Sequence, residues 1–318
     1  RTPRFKGKGK VKAKARALVI AGKGEDLLTA TRARALARAG FAAGGQHGRA
    51  ASAQTRSRAA QACRCASHPS HQYRQTKQKA SVFRGMTKIG IIGAMEVEVS
   101  YLKGRLENAT SQVIAGMEFA EGTFNSVPAV VVFCSVGKVN AGICAQILVD
   151  RFSVTHVINT GVAGSLDAVI NIGDLVVSTD AVHHDMDVCN LGYEPGQVPG
   201  FKEIYFPADE QLRNIVKQAA AQVATDISVF DGRVASGDQF VRTDAEKQRI
   251  ISTFAARCCE MEGAAIAHAC FLNDVPFVIV RAISDKADGS DAELYPVFEE
   301  KAAHHCAAIV ERAVTLLA

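Results

Sequence analysis

From residue 88 to the end of the chain, short apolar runs rich in β-branched residues alternate with stretches of helical spacing. The predicted strands cover 88–93, 127–137, 156–164, 173–185, 227–241, 257–262 and 275–284, and the predicted helices begin at 96, 138, 208, 263 and about 293. Buried strands joined by helix-length connections favour a largely parallel sheet covered on both faces. The sequence therefore predicts one α/β domain over 86–318, a three-layer α/β/α fold around a central mixed, mostly parallel sheet.

Charge divides the chain into two parts. Residues 1–85 hold 20 of the 37 Lys and Arg and two of the 32 Asp and Glu, which leaves 17 basic and 30 acidic residues for 86–318. The formal charges are therefore +18 and −13. An acidic domain argues against nucleic acid as a partner, because phosphates demand a positive surface. Apolar runs fall far short of the roughly 20 residues that a membrane span needs, so no membrane contact is expected.

Residues 1–85 lack a sustained hydrophobic period, so we expect a disordered basic extension that does not fold alone. Their Arg-rich, acid-poor composition is also typical of transit peptides, and their charge would allow contact with nucleic acid. Cys63, Cys65, His68 and His71 lack the usual spacing of zinc ligands. Because the first Met is Met86, just before the first strand, we interpret 1–85 as upstream or precursor sequence without a role in the chemistry.

The nine cysteines favour a reducing compartment. Cys258 and Cys259 are neighbours, and neither a paired framework nor a secretory signal accompanies the cysteines. This pattern is typical of Cys used as a small core residue. We therefore expect the protein in the cytoplasm, and a transit peptide is the less favoured interpretation of 1–85.

Polar or glycine-rich residues end six of the predicted strands, and ligands of such sheets bind beyond the carboxyl ends of the strands. Asp285 follows a strand apolar enough to be central, where low dielectric would raise its pKa toward that of a general acid. An N-cap for the following segment is the alternative role for Asp285.

Two further carboxylate pairs stand at strand ends. If the strand extends far enough, Glu260 and Glu262 point to the same side, where they could grip vicinal hydroxyls, or one of them could pair with Arg281. Glu96 and Glu98 diverge by roughly 200° if they open a helix. Glu98 lies nearer the apolar face and is the likelier pocket residue of that pair.

Other chemistries find little support in the sequence. It lacks a Gly-x-Gly-x-x-Gly after the first strand, a P-loop, a Gly-x-Ser-x-Gly elbow and a His-Glu-x-x-His. His183 and His184 stand near Asp185 and Asp187, but adjacent residues on a strand point to opposite faces. We therefore predict neither a metal nor a cofactor.

Seven motifs occur in a characteristic order: KIGIIGAMEVEV, SVGKVNAG, NTGVAGS, HHDMDV…GYEPGQVPG, SGDQF, EMEGAAIAH and VRAISDKAD. The set resembles the 5′-methylthioadenosine/S-adenosylhomocysteine nucleosidases of the purine nucleoside phosphorylase superfamily. The resemblance spans nearly all of 88–318 and none of 1–85. It implies a nucleoside phosphorylase/hydrolase-like fold, a homodimer, and hydrolysis of the N-glycosidic bond of methylthioadenosine, adenosylhomocysteine and 5′-deoxyadenosine, in methionine salvage.

The resemblance also implies residue roles. Glu98 matches the base that deprotonates the attacking water, Asp285 the acid that protonates adenine N7, and Glu262 the residue that holds the ribose hydroxyls, with Arg281 supporting that carboxylate. The implied substrate-binding positions are Met95, Val136, Val162, Ala163, Gly164, Phe240, Val241, Glu260, Met261, Glu262, Arg281, Ser284 and Tyr295. Among them, Phe240 matches the ring that stacks on adenine, and Met95, Val136 and Tyr295 match the lining of the 5′-alkylthio pocket.

Leu191 and Pro199 match positions that the neighbouring subunit contributes to the pocket. The sequence departs from some relatives in having Val162 in place of Ser and Leu191 in place of Phe. Both departures affect the lining of the pocket, so they bear on substrate preference rather than on the reaction.

The chemistry of the reaction agrees with these roles. Adenine leaves poorly as an anion while the sugar becomes oxocarbenium-like, so one carboxylic acid has to protonate the base while a carboxylate activates water on the opposite face. We expect Asp285 protonated and Glu98 ionised. Two alternatives are a phosphorylase on the same fold, which would need basic residues for phosphate, and a nucleoside-binding protein without catalysis.

Overall fold

The structure, a computed structural model, describes residues 87–287 and 295–317, the side chains of 295–299 excepted. The basic extension and the Cys/His motif at 63–71 lie outside the described residues. The strands are Ile89–Gly93 (β1), Glu107–Ile114 (β2), Met117–Phe124 (β3), Val127–Phe133 (β4), His156–Ser165 (β5), Leu175–His183 (β6), Phe206–Pro207 (β7), Val229–Ser236 (β8), Cys258–Glu260 (β9) and Phe277–Asp285 (β10). The α-helices are Glu96–Arg105 (α1), Lys138–Phe152 (α2), Glu210–Val223 (α3), Asp244–Phe254 (α4), Gly263–Leu272 (α5) and Tyr295–Thr315 (α6).

The strands form one mixed sheet. Strand β1 lies between β4 and β5 and is parallel to both. Strand β5 also pairs with β10 in parallel and with β9 in antiparallel orientation, while β10, β6, β8 and β9 pair in that order. Strands β5, β10, β6, β8 and β9 therefore close into a ring, and the antiparallel hairpin β2–β3 extends the sheet beyond β4.

Helices cover both faces of this sheet, which confirms the three-layer prediction. Strand β1 shows the division: Ile89 and Ile91 pack with residues of α1, α3 and α6, whereas Ile92 packs with residues of α2 and α5. Helix α4 packs over the ends of β6 and β8 in a third, smaller cluster. Each fully buried side chain of this size stabilises the fold by about 1.5–3 kcal/mol relative to exposure.

The predicted strands and helices are all present, with ends that move by a few residues. Four elements were not predicted: β2, β3, the two-residue strand β7 and α4. The sheet consequently has more antiparallel pairing than the sequence indicates. Within residues 87–287 and 295–317, the helices are too short or too polar to cross a bilayer.

Candidate active site

A cavity of about 210 Å³ lies at the carboxyl ends of the strands. Its lining residues are Ala94, Met95, Glu98, Val136, Val162, Ala163, Gly164, Gln239, Phe240, Val241, Cys259, Glu260, Met261, Glu262, Ser284 and Asp285. All of them were predicted except Ala94, Gln239 and Cys259. Each of these three stands next to a predicted residue, so the strand-end motifs themselves carried the signal that would have found them.

Glu98 is the deeply buried carboxylate of the cavity. It lies in the first turn of α1, and its side chain folds back on the start of the helix. Its Oε2 accepts from the backbone N of Ala94 (2.6 Å) and of Met95 (3.0 Å), and its Oε1 accepts from the backbone N of Val162 (3.0 Å). Glu98 is 1% exposed, whereas Glu96 is exposed. Of the two residues, Glu98 lines the cavity and Glu96 does not.

The surroundings of Glu98 make it a stronger base than an ordinary carboxylate. Burial raises the pKa of Glu98, while the Arg281 charge and the three backbone N–H groups oppose that rise. A carboxylate that is desolvated but still held by N–H donors can accept a proton from water more readily than one in solution.

Gly161 makes this arrangement possible. It lies on β5 with φ of 154°, and a Cβ atom there would overlap both the Arg281 guanidinium and the Glu98 carboxylate. Only a residue without a side chain lets these two groups approach the strand so closely.

Asp285 ends β10 and lines the same cavity as Glu98. Its Oδ2 accepts from the Ser284 hydroxyl (3.0 Å), and its Oδ1 accepts from the backbone N of Ala287 (2.7 Å). The carboxyl therefore stabilises the turn that follows β10 and also faces the cavity.

Arg281 is wholly buried behind the cavity. Its Nη1 donates to the carbonyl oxygen of Thr160 (3.2 Å) and its Nη2 to Oδ1 of Asn159 (2.7 Å). Arg281 also forms an ion pair with Glu260. Because an unpaired buried charge costs several kcal/mol, Glu260 is the counter-ion that this guanidinium requires.

The structure brings Arg281 close to both carboxylates. Its Nη2 bonds directly to Glu260 and lies 3.9 Å from Oε2 of Glu262, the carboxylate that the resemblance implied it supports. Glu260 further accepts from the backbone N of Glu262 (3.1 Å) and of Gly263 (2.7 Å). Arg281 therefore acts on Glu262 through charge and through Glu260.

Glu262 stands just before α5 rather than on the strand, since β9 ends at Glu260. The two carboxylates still converge, because the chain turns between them. Oε1 of Glu262 accepts from the backbone N of Gly137 (2.8 Å). Burial, and next the Glu260 charge, raise the pKa of Glu262 to about 7, against the opposing effects of Arg281 and the Gly137 N–H.

The remaining predicted positions divide into two groups. Phe240 lines the cavity mouth and is 58% exposed, and Val241 lies buried beside it. Leu191, which is 68% exposed, and Pro199, also exposed, are absent from the cavity lining of their own chain. Tyr295 begins α6, and its side chain lies outside the described residues.

The cavity is acidic. Its lining contains Glu98, Glu260, Glu262 and Asp285 and, among the residues that the structure describes, no Lys, Arg or His. Such a lining can hold hydroxyl groups and water by hydrogen bonding, but it offers no positive charge to a bound anion.

The chain is similar to known proteins. The family model of the phosphorylase superfamily matches residues 88–315. A 5′-methylthioadenosine/S-adenosylhomocysteine nucleosidase of Geobacillus sp. (strain WCH70) is 44% identical over 231 residues, which are 72% of this chain and 99% of that protein.

Two solved structures resemble the fold. The nucleosidase of the same name from Colwellia psychrerythraea 34H, in complex with adenine, superposes with a TM-score of 0.70 at 36% identity, covering 73% of this chain and 96% of that one. The nucleosidase from Neisseria meningitidis, in complex with methylthio-immucillin-A, gives 0.70 at 34% identity, covering 73% and 100%. The chain belongs to the 5′-methylthioadenosine/S-adenosylhomocysteine nucleosidase family of the phosphorylase superfamily.

Proposed function

We propose that the chain hydrolyses the N-glycosidic bond of 5′-methylthioadenosine, S-adenosylhomocysteine and 5′-deoxyadenosine, releasing adenine and the 5′-substituted ribose. One observation carries the proposal: Glu98 and Asp285, from the first helix and the last strand of the domain, face a single cavity. That is the arrangement that inverting cleavage of a glycosidic bond needs.

In the proposed reaction, Glu98 removes a proton from a water molecule whose oxygen attacks C1′ of the ribose. The bond from C1′ to adenine breaks, its electron pair stays with the base, and Asp285 donates a proton to adenine N7. Glu262 accepts hydrogen bonds from the ribose hydroxyls, which fixes the sugar between the two carboxyl groups. Phe240 provides the ring on which adenine stacks.

The acidic cavity favours water over phosphate as the nucleophile. A phosphorylase has to bind a phosphate anion next to C1′, and carboxylates at that place would repel it. Arg281 is wholly buried and its guanidinium pairs with Glu260, so it is not free to bind a phosphate. A binding protein without catalysis would gain nothing from a desolvated Glu98 held opposite an acid.

Adenine release in phosphate-free buffer tests the proposal. The full chain is incubated with each of the three nucleosides, and free adenine is followed by chromatography. We expect turnover that added phosphate does not accelerate, with the free 5′-substituted ribose as second product. Adenine that appears only with phosphate, together with a ribose 1-phosphate, would establish the phosphorylase instead. Asp285→Asn, purified in parallel, controls for contaminating hydrolases.

We further propose a homodimer in which Leu191 and Pro199 complete the pocket of the partner subunit. Their exposure supports this, as does the exposure of further apolar side chains: Val136, which lines the cavity, and Val139 and Ile143, which follow it on α2. Light scattering coupled to gel filtration measures the mass in solution. A monomer with full activity contradicts the proposed dimer.

The cytoplasm is the proposed location, with 1–85 taking no part in the reaction. Six of the seven cysteines in the described residues are buried free thiols, which suits a reducing compartment. Deleting 1–85 is expected to leave kcat unchanged, and a loss of kcat or of folding contradicts this assignment. Cell fractionation tests the location.

A further inference from the structure

We infer that Lys138, Asp185 and Asp238 form a clamp that positions Glu262 and the cavity-lining segment 239–241 for catalysis. The Lys138 Nζ donates to Oδ1 of Asp185 (2.6 Å), and the backbone N of Asp238 donates to Oδ2 of Asp185 (2.9 Å). The backbone N of Lys138 donates in turn to Oδ1 of Asp238 (2.8 Å). Each of the three residues thus contacts the other two, across the start of α2, the segment after β6 and the segment after β8.

The clamp lies directly beside the ribose side of the cavity. Lys138 follows Gly137, whose backbone N donates to Oε1 of Glu262 (2.8 Å). Gly137 has φ of 102°, and the nearest atom to a Cβ built there would be Oδ1 of Asp238, at 3.2 Å. Because Asp238 holds the N–H of the next residue, it fixes the direction in which the Gly137 N–H points.

The same clamp reaches the adenine side. Asp238 begins the segment that lines the cavity with Gln239, Phe240 and Val241. Its backbone N is held by Asp185, so the start of this segment is tied to the helix that carries Gly137. One set of contacts therefore links the group proposed to hold ribose with the ring proposed to hold adenine.

The side chains of Lys138 and Asp185 are each only 18% exposed, so their ion pair is partly shielded from water. Burial alone would raise the pKa of Asp185, but the hydrogen bonds from Lys138 and from the Asp238 N–H lower it. Asp185 is therefore the ionised centre of the clamp. Neutralising Lys138 removes the charge that this partly buried carboxylate needs.

The clamp acts on the reaction through the charge of Glu262. Glu260 on β9, Arg281 on β10 and Glu98 on α1 act electrostatically on that carboxylate, and the Gly137 N–H donates to it. Glu260 and Glu98 disfavour its ionised form, while Arg281 and the N–H favour it. If the N–H turns away, Glu262 becomes harder to ionise.

The test is the pH dependence of kcat/KM in the Lys138→Met variant, measured on the acid side, where activity rises with pH to a midpoint. The substitution keeps the length of the side chain and removes its charge. We expect the midpoint to move upward by about half a unit or more, kcat/KM at pH 7 to fall roughly tenfold, and adenine to bind more weakly. Lys138→Arg is expected to restore the wild-type midpoint. Asp185→Asn is the second variant, with the same expected shift, in case Lys138→Met does not fold.

Lys103→Met is the matched control. Lys103 is 15% exposed and also pairs with two carboxylates, Glu96 and Glu118, but it lies outside the cavity lining. We expect the midpoint of the kcat/KM pH profile in Lys103→Met to stay at the wild-type value. An unchanged midpoint in the folded Lys138→Met and Asp185→Asn variants, or the same shift in Lys103→Met, overturns the clamp.

The inference rests on the proposed hydrolysis, and calorimetry separates the two. If the wild-type chain binds methylthioadenosine and adenine without cleaving the nucleoside, the proposed function fails. The clamp is then judged on binding alone: Lys138→Met has to weaken both ligands, and unchanged affinities overturn it.

Discussion

At one end of the cavity, Glu98 is almost wholly buried and accepts hydrogen bonds from three backbone N–H groups, those of Ala94 and Met95 between β1 and α1 and that of Val162 on β5. At the other end, Asp285 is only half-buried, takes one of its bonds from a side chain, and shares the cavity with the exposed ring of Phe240. The Glu98 end, where water is proposed to bind, is shielded from solvent and held by backbone hydrogen bonds, while the Asp285 end, where adenine is proposed to bind, is accessible. Desolvation strengthens the base, and exposure lets the nucleoside enter and adenine leave.

Glu98→Gln changes the Glu98 end of the cavity and has the largest expected effect. The amide keeps the shape of the side chain but cannot accept a proton from water. We expect kcat for methylthioadenosine to fall about 10²–10⁴-fold, with the affinity for adenine unchanged, as steady-state kinetics and calorimetry would show. The matched control is Glu96→Gln, which changes an exposed residue of the same helical turn and should retain activity. A kcat within threefold of wild type contradicts the role of Glu98.

Asp285→Asn changes the Asp285 end of the cavity. Asn can still accept the hydrogen bond from the Ala287 N–H, but it has no acidic proton for adenine N7. We expect kcat to fall by about 10² or more while nucleoside affinity stays within about tenfold. Equal losses of turnover and of affinity would make Asp285 a binding residue only. Urea unfolding of both variants distinguishes lost chemistry from lost folding.

The sequence predicted the buried parts of the fold better than the exposed ones. The strands of the centre are continuous apolar runs, whereas β2 is exposed along nearly its whole length and carries no hydrophobic alternation. Helix α4 was missed although its start is marked by Thr243 and Glu246, a capping-box pair in which the Thr hydroxyl accepts from the Glu246 N–H. That signal was readable in the sequence.

Within the site, the residues could be predicted but their pairing could not. The motifs identify Glu260, Glu262 and Arg281, yet the choice of Glu260 as counter-ion depends on where β9 ends. A strand through residue 262 would have placed both carboxylates alike; the observed turn instead brings the backbone N–H groups of Glu262 and Gly263 onto Glu260. Such side-chain choices follow from three-dimensional packing, which no local pattern encodes.

The pH dependence of kcat/KM tests the role of Glu262, which is proposed to hold the ribose between the two ends of the cavity. Glu262, whose pKa is raised to about 7, has to be ionised to accept two hydroxyl hydrogen bonds, and it is ionised only above that pH. Activity should therefore be lost as pH falls, by about tenfold per unit below pH 7. Glu98 also has a raised pKa and has to be ionised, so its protonation can only make the fall of kcat/KM with decreasing pH steeper. Constant kcat/KM from pH 8 down to pH 5 contradicts this account, and adenine, which has no ribose, serves as the binding control.

Phe240→Leu has the smallest expected effect and tests only the binding of adenine at the accessible end of the cavity. The substitution keeps an apolar side chain of similar reach but removes the aromatic face. Base stacking on an aromatic ring is worth about 1–3 kcal/mol, and the exposure of Phe240 argues for the lower figure, or about fivefold. We expect KM for methylthioadenosine and Kd for adenine to rise together by that factor while kcat changes less than twofold, since the ring is proposed to stack on adenine and takes no part in either proton transfer. A fall in kcat with unchanged KM would instead show that the ring acts on the bond-breaking step, and the division between a chemical end and a binding end would not hold.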